Sequence, residues 1–231
     1  MEVAIYSALQ KTAISFSGID DDYLSQLKNT NTGLWTASQE LELKLGINNW
    51  SISSGFRLQN MKTRFDYEST ILSKVLKNDQ LVKIIIDSES MDTIGMVFKD
   101  TLVNRSTYRK VVQHNNLRQY SIPLRIGYQV ERGGMVLGME MGLIGNWAVP
   151  YKGVNLEDID TVADYSTEST SMPFKTFTVG YIVKPYVRYN LNSSFGISMF
   201  SELQKQNHNT GISVDRALTQ WGIGLGLHYK L

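Results

Sequence analysis

The 231-residue sequence predicts an all-β protein: a transmembrane antiparallel up-and-down β-barrel of about eight strands, with short periplasmic turns and long extracellular loops. Three observations predict it. Segments with an apolar residue at every second position run to the end of the chain; ten of the 18 glycines fall on the polar parity of those segments; and aromatic residues recur eight apart on the apolar parity.

In order, the first strand is the weak alternation of Val3, Ile5, Ser7 and Leu9, near residues 3–9. A hairpin follows. Leu41, Leu43, Leu45 and Ile47 share one face, Asn48-Asn49 makes a two-residue turn, and Trp50, Ile52, Phe56 and Leu58 continue that face on the return. The next hairpin places Tyr120, Ile122, Leu124, Ile126, Tyr128 and Val130 together, turns through Arg132-Gly133-Gly134, and returns with Met135, Leu137, Met139, Met141 and Leu143. A third carries Phe177, Val179, Tyr181, Val183, Val187 and Tyr189, turns around Asn192-Ser193, and returns with Phe195, Ile197, Met199 and Leu203. Trp221, Ile223, Leu225, Leu227, Tyr229 and Leu231 form the last strand. All three tight turns then fall on one side. The connections on the other, 10–34, 69–115, 150–172 and 205–215, are long and polar, the asymmetry of outer-membrane barrels. Pro185 removes a ladder donor, so a bulge or strand end is expected beside it.

Alternation alone also suits a soluble barrel or sandwich with its apolar face inward, in which the aromatics are core residues. The polar face decides. It carries Gly46, Gly55, Gly127, Gly138, Gly142, Gly180, Gly196, Gly222, Gly224 and Gly226, interspersed with Glu40, Glu42, Lys44, Arg57, Arg125, Glu140, Lys184, Arg188 and Glu202. Glycine weakens a strand and benefits no solvated face, whereas a narrow lumen needs small residues to admit a few long charged ones. The charges, four acidic and five basic, suit a buried structural network. The pairs Tyr120/Tyr128, Tyr181/Tyr189 and Trp221/Tyr229 are each eight residues apart. At ~3.3 Å per residue and ~40° tilt, that spacing rises roughly 20 Å, near the ~25 Å apolar band between aromatic girdles. Trp50 and Phe195 join the periplasmic girdle; Trp35 and Trp147 join the outer one. A one-residue slip would turn Arg125, Glu140, Lys184 and Arg188 to lipid, at ~2–4 kcal/mol for each Arg or Lys at the midplane.

Composition narrows the classes further. With 23 Lys plus Arg against 22 Asp plus Glu there is no basic excess for nucleic acid, which is not expected as a partner. The absence of cysteine removes disulfides and thiolate chemistry. No run of 18 apolar residues exists, so a spanning helix is not expected and a membrane location would be by barrel. MEVAIYSALQK has neither the basic nor the apolar region of a signal peptide; the reading is a removed signal or the C-terminal part of a longer chain. One domain, 1–231, is expected, with the clear barrel pattern in 34–231.

The segments YSIPLRIGYQV (120–130) and GMVLGMEMGLIGNW, with the final strand WGIGLGLHYKL, resemble the outer-membrane β-barrel domains common in Bacteroidota. The resemblance covers roughly residues 34–231. It implies a barrel that occurs alone, as an accessory subunit of an envelope assembly, or as the C-terminal part of a longer chain, and it implies no catalytic residues.

No spacing among His114, His208 and His228 predicts a metal site or triad, and no cofactor is expected. His228 is assigned to hydrogen bonding in the lumen, His114 and His208 to solvated loops. Asp20, Asp21 and Asp22 with Asp158 and Asp160 read as solvated loop charge, calcium being the alternative. LVKIIIDSE, in the longest loop, is apolar enough for a further strand or a partner-binding patch. The function expected is therefore non-enzymatic: an outer-membrane barrel serving as a structural subunit or presenting loops for binding. Its partners would be outer-membrane lipid and other envelope proteins, met through loops or wall. The alternatives are the barrel of a longer sensor or signalling protein, and a small membrane enzyme acting on lipid or peptide with Ser166, His208 and Asp215. A general porin needs about 16 strands.

Overall fold

Period-two alternation becomes ten strands and one helix in the computed structural model, which describes residues 1–18, 20–91, 93–158, 161–166, 176–209 and 214–231. In chain order these are β1 (Glu2–Gly18), α1 (Asp21–Thr30), β2 (Asn31–Gly33), β3 (Trp35–Ile47), β4 (Trp50–Ile86), β5 (Thr93–Arg132), β6 (Met135–Asp158), β7 (Thr161–Ser166), β8 (Phe177–Asn190), β9 (Phe195–Asn209) and β10 (Val214–Lys230). Eight of them close a ring in the order β1-β3-β4-β5-β6-β8-β9-β10, with β10 returning to β1; β2 pairs with β4 and β7 with β6. β1 and β10 match from Glu2↔Lys230 to Gly18↔Val214, so the ring has no free edge at its closure.

The turn side is tight. Strands β5 and β6 are joined by Gly133 and Gly134 alone, at φ +59° and +81°, the two left-handed positions a two-residue hairpin turn demands. Asn48, at φ +56°, serves the β3–β4 turn in the same way.

On the opposite side the expected loops are mostly strand. β1 continues to Gly18, β4 and β5 run to Ile86 and from Thr93, β6 continues to Asp158 and receives β7, and β9 reaches Asn209. Beyond the lipid nothing requires an apolar outward parity, and on β4 the alternation inverts, burying Met61, Phe65 and Tyr67 while Lys62 and Arg64 face out. Helix α1 also stands where a loop is expected. The Asp20 carboxylate accepts from the Asp22 and Tyr23 amides at 3.1 and 3.0 Å, and Asp21 and Asp22 occupy the first turn, where the helix dipole favours them. Leu24 and Leu27 are buried, and Tyr23 donates to the Leu156 carbonyl at 2.8 Å, fastening the helix to β6.

Two compact units result: residues 1–66 with 112–231, and residues 67–111. The first is the barrel. The second comprises the far parts of β4 and β5 and the bend at residues 87–91, where the Met91 amide donates to the Asp87 carbonyl and the Asp87 carboxylate receives the Glu89 amide and the Ser90 hydroxyl. LVKIIIDSE is thus strand followed by turn.

Pro185 makes neither a bulge nor a strand end. Its partner on β6 is Met139, in unbroken register, and on the β9 side the pairs Val183↔Leu203 and Tyr186↔Phe200 keep one register while pairing is skipped between them. The missing N–H opens the ladder locally without adding a residue.

Candidate functional site

Because side chains alternate across a closed sheet, even-numbered residues of β3 and β9 and odd-numbered ones of β4 and β5 fill the lumen, while their neighbours point out. The outward face is apolar. Ile5, Leu9, Leu43, Ile52, Leu124, Met141, Val179 and Leu225 are all exposed. Aromatic rings band it at both ends: Trp50 meets Tyr128 and Phe195 meets Tyr229 near the turns, with ring centroids 5.2 and 5.0 Å apart. At the other end Trp35 meets Trp221 and Trp147 meets Phe177, at 5.0 and 4.9 Å, and Tyr120 stacks on Phe56. Tyr181 and Tyr189 also lie exposed on β8.

Inside, the structure brings eight of the nine charged lumen residues into one mid-barrel network. Arg57 donates through Nε to Glu40 at 2.7 Å and through Nη1 to Glu202 at 2.5 Å. Arg125, fully buried, pairs with both Glu40 and Glu42 and lies 3.4 Å from Glu140. Lys44 donates to Glu140 at 2.6 Å and to the Tyr186 hydroxyl at 2.9 Å. Lys184 is 3.4 Å from Glu42 and sits 3.2 Å above the Tyr6 ring. Four carboxylates therefore face four cations, the neutrality that makes such burial tolerable.

The ninth, Arg188, stands apart. Its Nη1 donates to both oxygens of Glu2 at 2.8 and 2.7 Å; Glu2 also meets His228 Nδ1 at 2.5 Å, and His228 Nε2 is 2.7 Å from Ser198 Oγ. Glu2 is absent from the sequence reading because the first strand is dated there from Val3. Tyr6, Tyr186 and Phe200 are absent too, and they account for several glycines: a Cβ on Gly138 would overlap the Tyr186 ring, one on Gly226 the Tyr6 ring, and one on Gly224 the Phe200 ring. The small residues make room for aromatics as well as for charges.

Ser198, His228 and Glu2 stand in the order nucleophile, base, orienter. Yet Ser198 and His228 are each 2% exposed, Tyr6 packs edge-on against the imidazole at 5.3 Å, and Arg188 holds the carboxylate, so a substrate has no approach. The other constellation does not assemble. His208, expected in a solvated loop, is buried on β9, because that strand extends to Asn209 and its even positions face inward. Asp215 is exposed on the opposite face of neighbouring β10; the Ser166 side chain lies outside the described residues. His114 is exposed. Asp20, Asp21 and Asp22 serve the start of α1; Asp160 and the Asp158 side chain lie outside the described residues, and no cluster of metal-ligating side chains occurs among those described.

A closed ring of eight antiparallel strands, apolar outside and ionic within, defines a transmembrane β-barrel of the outer-membrane type. Among solved structures its fold is similar to Neisserial surface protein A, with TM-score 0.51 and 10% identity over 100% of this chain and 96% of that one. The outer membrane protein OprG from Pseudomonas aeruginosa gives TM-score 0.50 and 9% identity, again over 100% and 96%. At these identities the likeness is one of fold. No protein-family model and no curated sequence matches the chain.

Proposed function

We propose that this chain is a non-enzymatic protein of the bacterial outer membrane, of the Bacteroidota type, whose barrel is an anchor and whose residues 67–111 dock another envelope protein. The observation that carries the reading is the surface of that second unit. Leu72, Leu76, Phe98, Leu102 and Tyr108 on the strands and Met91 in the bend are all more than half exposed, in a chain whose lumen is filled rather than open to solutes. The ionic network supports the anchoring role, since it occupies the space a pore would need. A barrel at the end of a longer sensor chain would use the same surface and differ only in what precedes residue 1.

The experiment replaces residues 69–109 with a two-residue Asn-Gly turn and compares the variant with the full chain after crosslinking in intact envelopes. Retained heat-modifiable mobility in SDS gels with loss of the crosslinked species supports docking through this unit. An unchanged crosslinking pattern overturns it. Outer-membrane placement is checked separately, by surface labelling of a cysteine put at Met91.

A further inference from the structure

We propose that the outward face of the barrel carries a binding site for the phosphate of a phosphorylated glycolipid headgroup, in a cleft between β4 and β5 just beyond the aromatic band that lies away from the tight turns. The site rests on the membrane placement argued above. Its floor is structural: the cleft has a volume of about 250 Å³ and is lined by Asn60, Lys62, Asn116, Leu117 and Arg118. On β4 the outward positions change from Phe56 and Leu58 to Asn60 and Lys62; on β5 they change from Ile122 and Tyr120 to Arg118 and Asn116. The cleft therefore begins where hydrocarbon gives way to headgroups.

A register shift lies beside it, in the ladder between β5 and β6. Arg118 pairs with Val149 and Leu117 with Pro150, but Asn116 pairs with Lys152, so β6 carries one extra residue there. A bulge bends its strand and adds twist. It also brings Lys152, exposed, opposite Asn116 at the rim.

The electrostatics point to an anion. On β1, β4, β5, β6 and β9 the first charged residue beyond the apolar band on the outward parity is basic: Lys11, Lys62, Arg118, Lys152 and Lys205. On β10 it is the acid Asp215, six residues beyond Trp221, and on β4 Asp66 follows Arg64, which engages it at 2.7 Å. Among the described residues no carboxylate pairs with Lys62. Two amides that donate and accept, a lysine and a guanidinium around one small cleft match a tetrahedral phosphate, with Arg118 supplying the planar fork and Lys62 a point charge. Lys11 and Lys205 do not line this cleft and serve as internal controls for the diffuse attraction of any cation near an anionic surface.

The test uses the full chain folded in dodecylmaltoside micelles, with heat-modifiable mobility confirming the barrel in every variant. The probes are lipid A bearing two phosphates, the same lipid after enzymatic removal of both, and inorganic phosphate, with adducts read by native mass spectrometry over a lipid titration. Removing two interfacial cations is expected to weaken binding about 30-fold. The proposal expects K62Q/R118Q to lose the bis-phosphorylated lipid by about that factor, the dephosphorylated lipid to bind no better to the parent than to the variant, and 10-fold excess inorganic phosphate to leave the lipid adduct in place. Equal losses in K11Q/K205Q overturn the cleft in favour of an unspecific cationic collar. Full competition by inorganic phosphate overturns the headgroup in favour of a free anion. Because binding is read in micelles, failure here leaves the membrane placement and the docking unit untouched, whereas failure of surface labelling at residue 91 removes the lipid setting of the site even where the adduct forms.

Discussion

Arg125 is the residue on which the lumen most depends, and replacing it with methionine tests the network directly. The guanidinium is fully buried and touches three carboxylates: Glu40, Glu42 and Glu140. Without it Glu40 keeps Arg57, and Glu140 keeps Lys44 at 2.6 Å, but Glu42 keeps a single cation, Lys184 at 3.4 Å, with the neutral Tyr6 hydroxyl donating to it at 3.3 Å. Four carboxylates would face three cations, with the excess charge centred on Glu42. Methionine occupies much of the arginine stem volume, so the cavity contribution stays small and the loss is mainly that of an uncompensated buried charge, about 3–5 kcal/mol. That is roughly 100-fold or more in the folding equilibrium. Adding Glu42→Gln restores neutrality and is expected to recover most of the loss. The assay is equilibrium urea unfolding in lipid vesicles, followed through the four tryptophans, all of which lie on the outward face and leave lipid on unfolding. A double-mutant cycle isolates the coupling. If Arg125→Met unfolds within about 1 kcal/mol of the parent, or if Glu42→Gln deepens its loss, the network does not stabilise the barrel in the way its geometry indicates.

Gly138→Ala should cost about 1–3 kcal/mol by the same unfolding assay, because its Cβ meets a Tyr186 ring that is tied to Lys44 and Gln129; a Tyr186→Leu background should abolish that cost. Leu124→Arg, midway between Tyr120 and Tyr128 on the lipid face, should cost about 2–4 kcal/mol, whereas Tyr120→Arg at the band edge should cost only about 0–1; equal losses at the two depths would contradict the assigned lipid boundary. In the second unit, a hydrogen bond from Lys110 holds the exposed Glu68 carboxyl below its ordinary range. A depressed pKa stabilises the folded form above the unfolded value and ceases to do so as pH falls through the folded one. Amide exchange in residues 68–110, corrected for intrinsic rate, should therefore be steady from neutrality down to the ordinary carboxylate range and rise below it, and Glu68→Gln should remove that rise.

How far the sequence could be read depended on which side of each residue was under constraint. Between the aromatic bands both faces are constrained, one by lipid and one by a narrow interior, and there the parity of Leu41, Leu124 or Ile223 assigns inside and outside correctly. Past Leu58 the period persists but inverts, with Met61, Phe65 and Tyr67 buried and Lys62, Arg64 and Glu68 outward, so a pattern sought with its apolar parity toward lipid does not register it as barrel strand. The helix is a different omission: Asp20 ahead of Leu24 and Leu27, three residues apart, is a cap followed by an apolar stripe, legible in the letters but lying in a segment read as loop. Glu2 precedes the alternation that starts at Val3, and Tyr6 and Tyr186 are neither charges nor glycines, the residue types that mark the lumen parity. An aromatic on the polar parity, facing a glycine on the adjacent strand, as Tyr6 faces Gly226 and Tyr186 faces Gly138, is the signal that would have found the latter two.

The ionic lumen also answers a problem that an apolar one would leave open. The outward face is already apolar, so a barrel with aliphatic residues inside would present similar surfaces to lipid in either parity, and a one-residue slip between neighbouring strands would change little. With Arg125, Lys184, Arg57 and Arg188 inside, the slipped barrel exposes cations to hydrocarbon at about 2–4 kcal/mol each near the midplane. The network thereby sets register through the cost of the wrong pairing as much as through the stability of the right one. It also does so non-locally, since Arg57 bonds to Glu202, 145 residues away, and Arg125 to Glu42, 83 residues away. The second contact checks β3 against β5 across the intervening β4, and the first checks β4 against β9 across the lumen. Register is thereby tested between strands that share no ladder, so a slipped hairpin forfeits ion pairs beyond its own two strands.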